Sequence, residues 1–280
     1  MNTIPLPFPL KFLQPLDFPR KLGICDRLFG HQLAENGICW VQTSTGIPWK
    51  LDLTNPIHRW IVYGKYEGAA FLKWLRHFVP SDGIVIDSGA NIGQMLLYIA
   101  QWLPQGQVFA YEPGTAQADW LAECLAANPH LPVKLIRKGL GATQTQLKLA
   151  TPGPQSAHGL WSHISETEGE PIEIVRLSDE LGNFSVSQVD VWKVDLEGYE
   201  IPAFQGAKEL LENQKIRALY VEMGSKNYQE TVDFLKQLNY TCYLFDARGQ
   251  LFNLEQSPHY SFPIWTNGLF LSEAEVKKLN

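Results

Sequence analysis

"IVIDSGANIGQ", residues 84–94, is a short apolar run that ends on an acid and passes straight into a glycine-punctuated turn. The run "IVID" (84–87) has the β-branched content and length of a buried strand. Gly89 and Gly93 bracket the turn, and Ile92, Leu96, Ile99 and Leu103 then recur at helical spacing. Strand, glycine turn and helix in that order open a βαβ unit, and the question is whether the chain repeats it.

It does. "QVFAYE" (107–112) is a second strand, and Thr115 caps a helix carrying Leu121, Ala122 and Leu125. "VKLIRK" (133–138), "VDVWKVD" (189–195), "IRALYVEM" (216–223) and "YTCYLF" (240–245) are further strands, with helices expected over 203–212 and 228–238. "GLFLS" (268–272) is a late strand, and "QLKLA" and "IEIVRL" read as a hairpin around the long loop 151–170. Alternating units of this kind imply a parallel sheet with helices on both faces.

Before this region, residues 38–53 alternate around Thr45-Gly46 and read as a hairpin. Asn55-Pro56 starts a helix that Gly64 ends, and Phe71, Trp74, Leu75 and Phe78 stripe a second one. The first twenty residues hold five prolines and read, with the irregular segment to residue 35, as an extended strap. The expected division is therefore an N-terminal layer over 1–80 and a sheet domain over 81–280.

Ligands of open α/β sheets bind beyond the carboxyl ends of the strands. Asp87, Glu112, Lys138, Asp195 and Glu222 all fall at or near such ends, so five polar groups share one rim. The dinucleotide pattern G-x-G-x-x-G would need glycine at 91 and 94, where Asn91 and Gln94 stand, which counts against a dehydrogenase. Glu112, 23 residues after Gly89, is placed to accept from ribose hydroxyls, and Asp87 to face an ammonium. A ribose and a positively charged tail without a diphosphate describe S-adenosylmethionine.

"VWKVDLEGYE" (191–200) adds Lys193, Asp195, Glu197 and Glu200 at the mouth of an apolar strand, where charge is costly unless paired or used. Lys193, two residues before Asp195 on the same strand face, can pair with it. Asp195, Glu197 and Glu222 are candidate general bases. Oxygen ligands of this kind suit Mg²⁺ or Ca²⁺, but D-x-E is a weak metal pattern and no metal is assigned. Glu200 suits the first turn of the following helix. His58, and His158, Trp161, His163, His259, Tyr260 and Trp265 on two long loops, are secondary candidates for the walls of a cleft.

"IVIDSGANIG", "FAYEP", "VWKVDLEGYEIPAFQGAKELL" and "LYVEM" resemble, in order, the motifs of the FkbM-type methyltransferases, as does the upstream "WKLDLTNPIHRWIVYGKYE". The resemblance runs over residues 47–245. It implies a Rossmann-like class I methyltransferase: a seven-stranded, mostly parallel sheet with an antiparallel last strand, here behind an N-terminal hairpin and helical layer. It implies S-adenosylmethionine as cofactor, with Asp87, Gly89, Ala90, Asn91 and Gly93 at the methionine end and Glu112 and Pro113 at the ribose. Gly139 and Leu140 would lie near the adenine, Asp195 beside the methyl group, and Tyr66 and Glu67 near the methionine. Ser88 stands where the family often has valine, a departure expected to matter little.

The implied reaction is O-methylation of a hydroxyl on a small sugar- or polyketide-like acceptor. A non-catalytic nucleotide-binding protein and an NAD-dependent dehydrogenase are the alternatives. A net charge of −6 and a pI near 5.7 argue against nucleic acid and anionic membranes as partners. No apolar run approaches a membrane span. Cys25, Cys39, Cys124 and Cys242 form no CxxC pair and suit a reducing, cytoplasmic setting.

Overall fold

The computed structural model describes residues 3–14, 16, 18, 20–43, 45–64, 68–151, 162–165, 167–224, 228–257, 260, 263 and 265–279. Its backbone divides into two compact units: Met1–Ala69 with Asp119–Leu131, and Ala70–Ala118 with Pro132–Asn280.

The larger unit is built on an eight-stranded sheet. Its strands are β1 (Ile84–Ser88), β2 (Gln107–Tyr111), β3 (Val133–Ile136), β4 (Val189–Val194), β5 (Ile216–Gly224), β6 (Tyr240–Phe245), β7 (Leu251–Asn253) and β8 (Trp265–Ser272). Their spatial order is β7-β6-β8-β5-β4-β1-β2-β3. From β3 to β5 all neighbours are parallel. β8 inserts antiparallel between β5 and β6, so the late strand and "YTCYLF" exchange places relative to chain order. The expected seven strands are present. The eighth, β7, is a three-residue hairpin partner of β6 at the edge, too short to carry a readable period.

Both faces of this sheet are covered, which is why β4 and β5 read as near-continuous apolar runs. On one face Ile86, Trp192, Val194, Leu219 and Val221 pack with Phe204 of the helix Glu200–Gly206. On the other, Phe71 of the helix Ala69–Phe78 stacks on Tyr220 at 3.7 Å between ring centres. The helix after β1 starts only at Leu96, because Gly93 at φ 85° interrupts the chain after Ile92.

A smaller sheet flanks the rim. Thr145–Ala150 pairs antiparallel with Glu170–Val175, with Leu147 opposite Ile172, as the hairpin pattern predicts. Gly139–Leu140 extends it on one side and His163–Ser165 on the other. The loop 151–170 thus carries a strand of its own.

In the other unit, Ile38–Gln42 and Pro48–Asp52 form the expected hairpin, and Thr3–Ile4 adds a third, parallel strand. Asn55 caps the helix Pro56–Tyr63 by accepting from Ile57 N, and Gly64 ends it at φ 67°. The expectation of an irregular strap is corrected. Phe8–Leu13 and Lys21–Ala34 are helices. Proline is tolerated in a first turn, where the missing N–H has no partner to lose, so Pro9 does not block the shorter one. Gly23 and Gly30 obscure the apolar stripe of the longer. Cys25, Cys124 and Cys242 are buried, Cys39 is partly so, and all four are free thiols.

Candidate active site

The rim begins with the turn after β1. Gly89, Asn91 and Gly93 take φ values of 74°, 49° and 85°, so every second residue is left-handed. Asparagine tolerates that region better than most side chains, which lets it stand where a glycine pattern would be expected. Gly89 is required for a reason internal to the protein: a Cβ there would collide with the carbonyl oxygen of Asp195. The turn is pinned to β2, since Gly89 N and Ala90 N both donate to Tyr111 O.

Glu112 completes the clamp. Its Oε2 accepts from Asn91 N at 2.8 Å and its Oε1 from Gly114 N at 2.9 Å. The carboxyl is buried, and burial pushes its pKa up to about 7 against those two main-chain donors. Sequence reasoning assigned Glu112 to a ligand. The structure shows both of its oxygens already holding the loop, with a further lone pair left on each.

Sheet register explains the lysine. Lys193 on β4 lies opposite Asp87 on β1, and Nζ reaches Asp87 Oδ1 at 3.0 Å and Asp195 Oδ2 at 3.2 Å. Burial works against the ammonium, yet Asp87 and Asp195 outweigh it and hold its pKa above the ordinary lysine value. Asp87 is itself raised by burial, with Lys193 opposing. Ser88, beside this pair, faces the opposite side of β1, and its Oγ accepts from Trp192 Nε1 at 2.6 Å. Ser88, expected to matter little, satisfies a fully buried indole.

Beyond β4 the chain turns sharply, with Glu197 at φ 52° and Gly198 at φ 97°. Glu200 shapes this turn, its Oε1 accepting from Leu196 N and Gly198 N at 3.1 Å each. It is a brace for the loop from the first turn of its helix. Glu197 is left facing Asp195 and Glu222, and one carboxylate oxygen from each of the three lies within 4.8 Å of the others. Burial first, then the charges of Asp195 and Glu200, push Glu197 up to about 7. Burial, the charges of Asp195 and Glu197, and a hydrogen bond with Asp195 push Glu222 up to about 9. The direction favours the protonated form of Glu222, which is hydrogen-bonded to Asp195.

The remaining sequence candidates disperse. Leu140 is buried in the main core, and a Cβ on Gly139 would meet Ile174 Cδ1 at 2.6 Å, so only their backbone is available to a ligand. Lys138 pairs with Glu173 and Glu180 beside the small sheet, away from Lys193. His58 is buried, with Nδ1 accepting from Asp52 N, which makes it a core histidine. His163 is an exposed strand residue, and Tyr260 and Trp265 are partly exposed. Tyr66, Glu67, His158, Trp161 and His259 lie outside the described residues.

With this geometry in hand, residues 87–242 match the family model for the methyltransferase FkbM domain. The methyltransferase sdnD of Sordaria araneosa is 29% identical in an alignment of 162 positions that covers 47% of this chain and 62% of that protein. The hexuronic acid methyltransferase AglP of Haloferax volcanii is 28% identical over 154 residues, 55% of this chain and 62% of that protein. The chain thus spans less than two thirds of the length of these curated relatives. Among solved structures, an rRNA methylase from Streptococcus thermophilus superposes with a TM-score of 0.43 at 10% identity, over 74% of this chain and 97% of that one. The glycine turn, the clamped acid and the lysine-centred strand end all fall inside the matched span, and the chain belongs to the FkbM methyltransferase domain family, with S-adenosylmethionine as its methyl donor.

Proposed function

We propose that this chain methylates a hydroxyl oxygen on a small sugar- or polyketide-like acceptor. The observation that supports it most is the convergence of Asp195, Glu197 and Glu222 at the ends of two adjacent strands, beside a lysine that is already paired. S-adenosylmethionine, when bound, supplies a methyl group activated by a positive sulfur. An acid-rich rim with one buried cation suits such a donor, and it suits a polyphosphate poorly. Asn91 Oδ1, buried and without a hydrogen-bond partner among the described residues, is a further polar atom on the turn for the donor to meet.

The residues divide the work. Glu112 fixes the turn through Asn91 N and Gly114 N, and its spare lone pairs are available to ribose hydroxyls. Lys193 by its ion pair and Glu222 by its hydrogen bond hold Asp195 in place. Glu197, raised to about 7 and with no hydrogen bond among the described residues, is the group best matched to take the acceptor's proton at neutral pH. The loop brace at Glu200 keeps Glu197 turned toward the rim. Alignment of acceptor and donor contributes the rest, worth about 7–11 kcal/mol in favourable systems. The acceptor class is supported by the name of the hexuronic acid relative and by the acidity of the chain.

Calorimetric titration with S-adenosylmethionine and with NAD, followed by transfer of a labelled methyl group to hydroxylated sugars, polyketides and RNA, tests this. Label in the hydroxylated small molecules is the expected result. Label in RNA alone would overturn the acceptor, and NAD binding without S-adenosylmethionine binding the donor.

A further inference from the structure

The unit containing the N-terminus exposes apolar side chains that the active site does not account for. Phe8, Phe12, Leu16 and Leu28 are 73%, 60%, 53% and 63% exposed, and Ile24 is 43% exposed. They are ordered by helix geometry. Phe8 and Phe12 stand one turn apart on Phe8–Leu13, with ring centres at 4.9 Å, and Ile24 and Leu28 stand one turn apart on Lys21–Ala34. Isolated exposed apolar residues need no explanation, but pairs on the outer faces of two successive helices do.

Among the described residues of 8–28, the fully exposed charges are basic. Lys11, Arg20 and Arg27 are exposed. Asp26, whose side chain is 39% exposed, is already paired, its Oδ1 accepting from Arg59 Nε at 2.7 Å and from the Tyr63 hydroxyl at 2.9 Å. Over residues 1–34 the formal charge is +2, in a chain whose total is −6. We propose that this patch docks the protein peripherally on an anionic lipid bilayer, with the phenylalanines and leucines entering the interface and Lys11, Arg20 and Arg27 at the headgroups. Side chains that project singly suit a fluid interface, which closes around each one. The cations supply complementarity to anionic headgroups, while the acidic remainder is repelled and so orients the molecule. Whole-chain acidity, which argues against anionic membranes, averages over this asymmetry. No described helix is long and apolar enough to cross a membrane, so docking is confined to the surface.

The test is flotation of the full chain with vesicles of phosphatidylcholine alone and with about one part in three phosphatidylserine. Wild type should float with the anionic vesicles, release at high salt, and stay in solution with phosphatidylcholine. K11Q and R27Q should each weaken binding by about fivefold, the equivalent of one surface cation. The F8S/F12S variant should lose flotation while keeping wild-type melting and donor binding. Absence of wild-type flotation on anionic vesicles would overturn the proposal, as would undiminished flotation of F8S/F12S. Sedimentation showing a dimer that F8S/F12S splits would assign the patch to a second copy of the chain instead.

Discussion

Two groups of carboxylates occupy one sheet edge and are held in opposite ways. Glu112 and Glu200 spend their oxygens on main-chain N–H groups: Asn91 and Gly114 for one, Leu196 and Gly198 for the other. Asp195, Glu197 and Glu222 face one another across β4 and β5, with Lys193 as the neighbouring cation. Main-chain donors cannot titrate or leave, so the first pair fixes loop shape. Carboxyls that face carboxyls must share protons, so the second group can accept and release them. Charge at a strand end marks a site, and the partner of each charge says what that charge is for.

The contrast can be broken at several points. Lys193→Met should have the largest effect, since it strands Asp87 and Asp195 without their cation. Removing one partner of a buried pair costs about 3–5 kcal/mol, measurable as a lower urea midpoint, with donor binding lost as well. Unchanged stability would mean that the two acids are already neutral. Glu112→Gln should cost less, about 1–3 kcal/mol, because an amide nitrogen replaces one of two acceptors. Its mark should be weaker S-adenosylmethionine binding by calorimetry, with kcat near wild type once the donor saturates. A large loss of kcat at saturating donor would move Glu112 into the second group.

A third effect is a slope in pH. Glu222 is raised from 4.5 to about 9 in the folded state, so the folded protein keeps a proton that the unfolded chain has released. Stability from this group therefore falls as pH climbs between those two values. The E222Q variant has nothing to titrate there, and its Tm should decline less than that of wild type between the same limits. Parallel melting curves for the two proteins would contradict the raised carboxyl.

The rim was legible because strand ends are legible. Apolar runs that stop on Asp87, Glu112, Asp195 and Glu222 place those residues without any knowledge of loops, and alternation puts Lys193 on the face of Asp195. The use of each acid was not legible, because it depends on backbone direction in the turns. Nothing in "FAYEP" says that Glu112 holds Asn91 N, 21 residues earlier. The importance of Ser88 was hidden for a similar reason, since its partner Trp192 is brought to it only by the pairing of β1 with β4. At the N-terminus prolines and glycines outweighed two helices, and three residues at β7 were too few to show a period.

The division between bracing and reacting carboxylates is tested most directly at Glu197. The pH dependence of kcat for methyl transfer should be compared in wild type and Glu197→Gln, with donor affinity measured in parallel. Wild type should gain activity as pH rises through about 7, where Glu197 loses its proton. The variant should lose roughly 10²–10⁴ in kcat, and that limb of the profile with it, while binding S-adenosylmethionine as tightly as before. A variant that keeps both the rate and the limb would show that Glu197 is a loop residue like Glu200, and that the proton leaves the acceptor by another route.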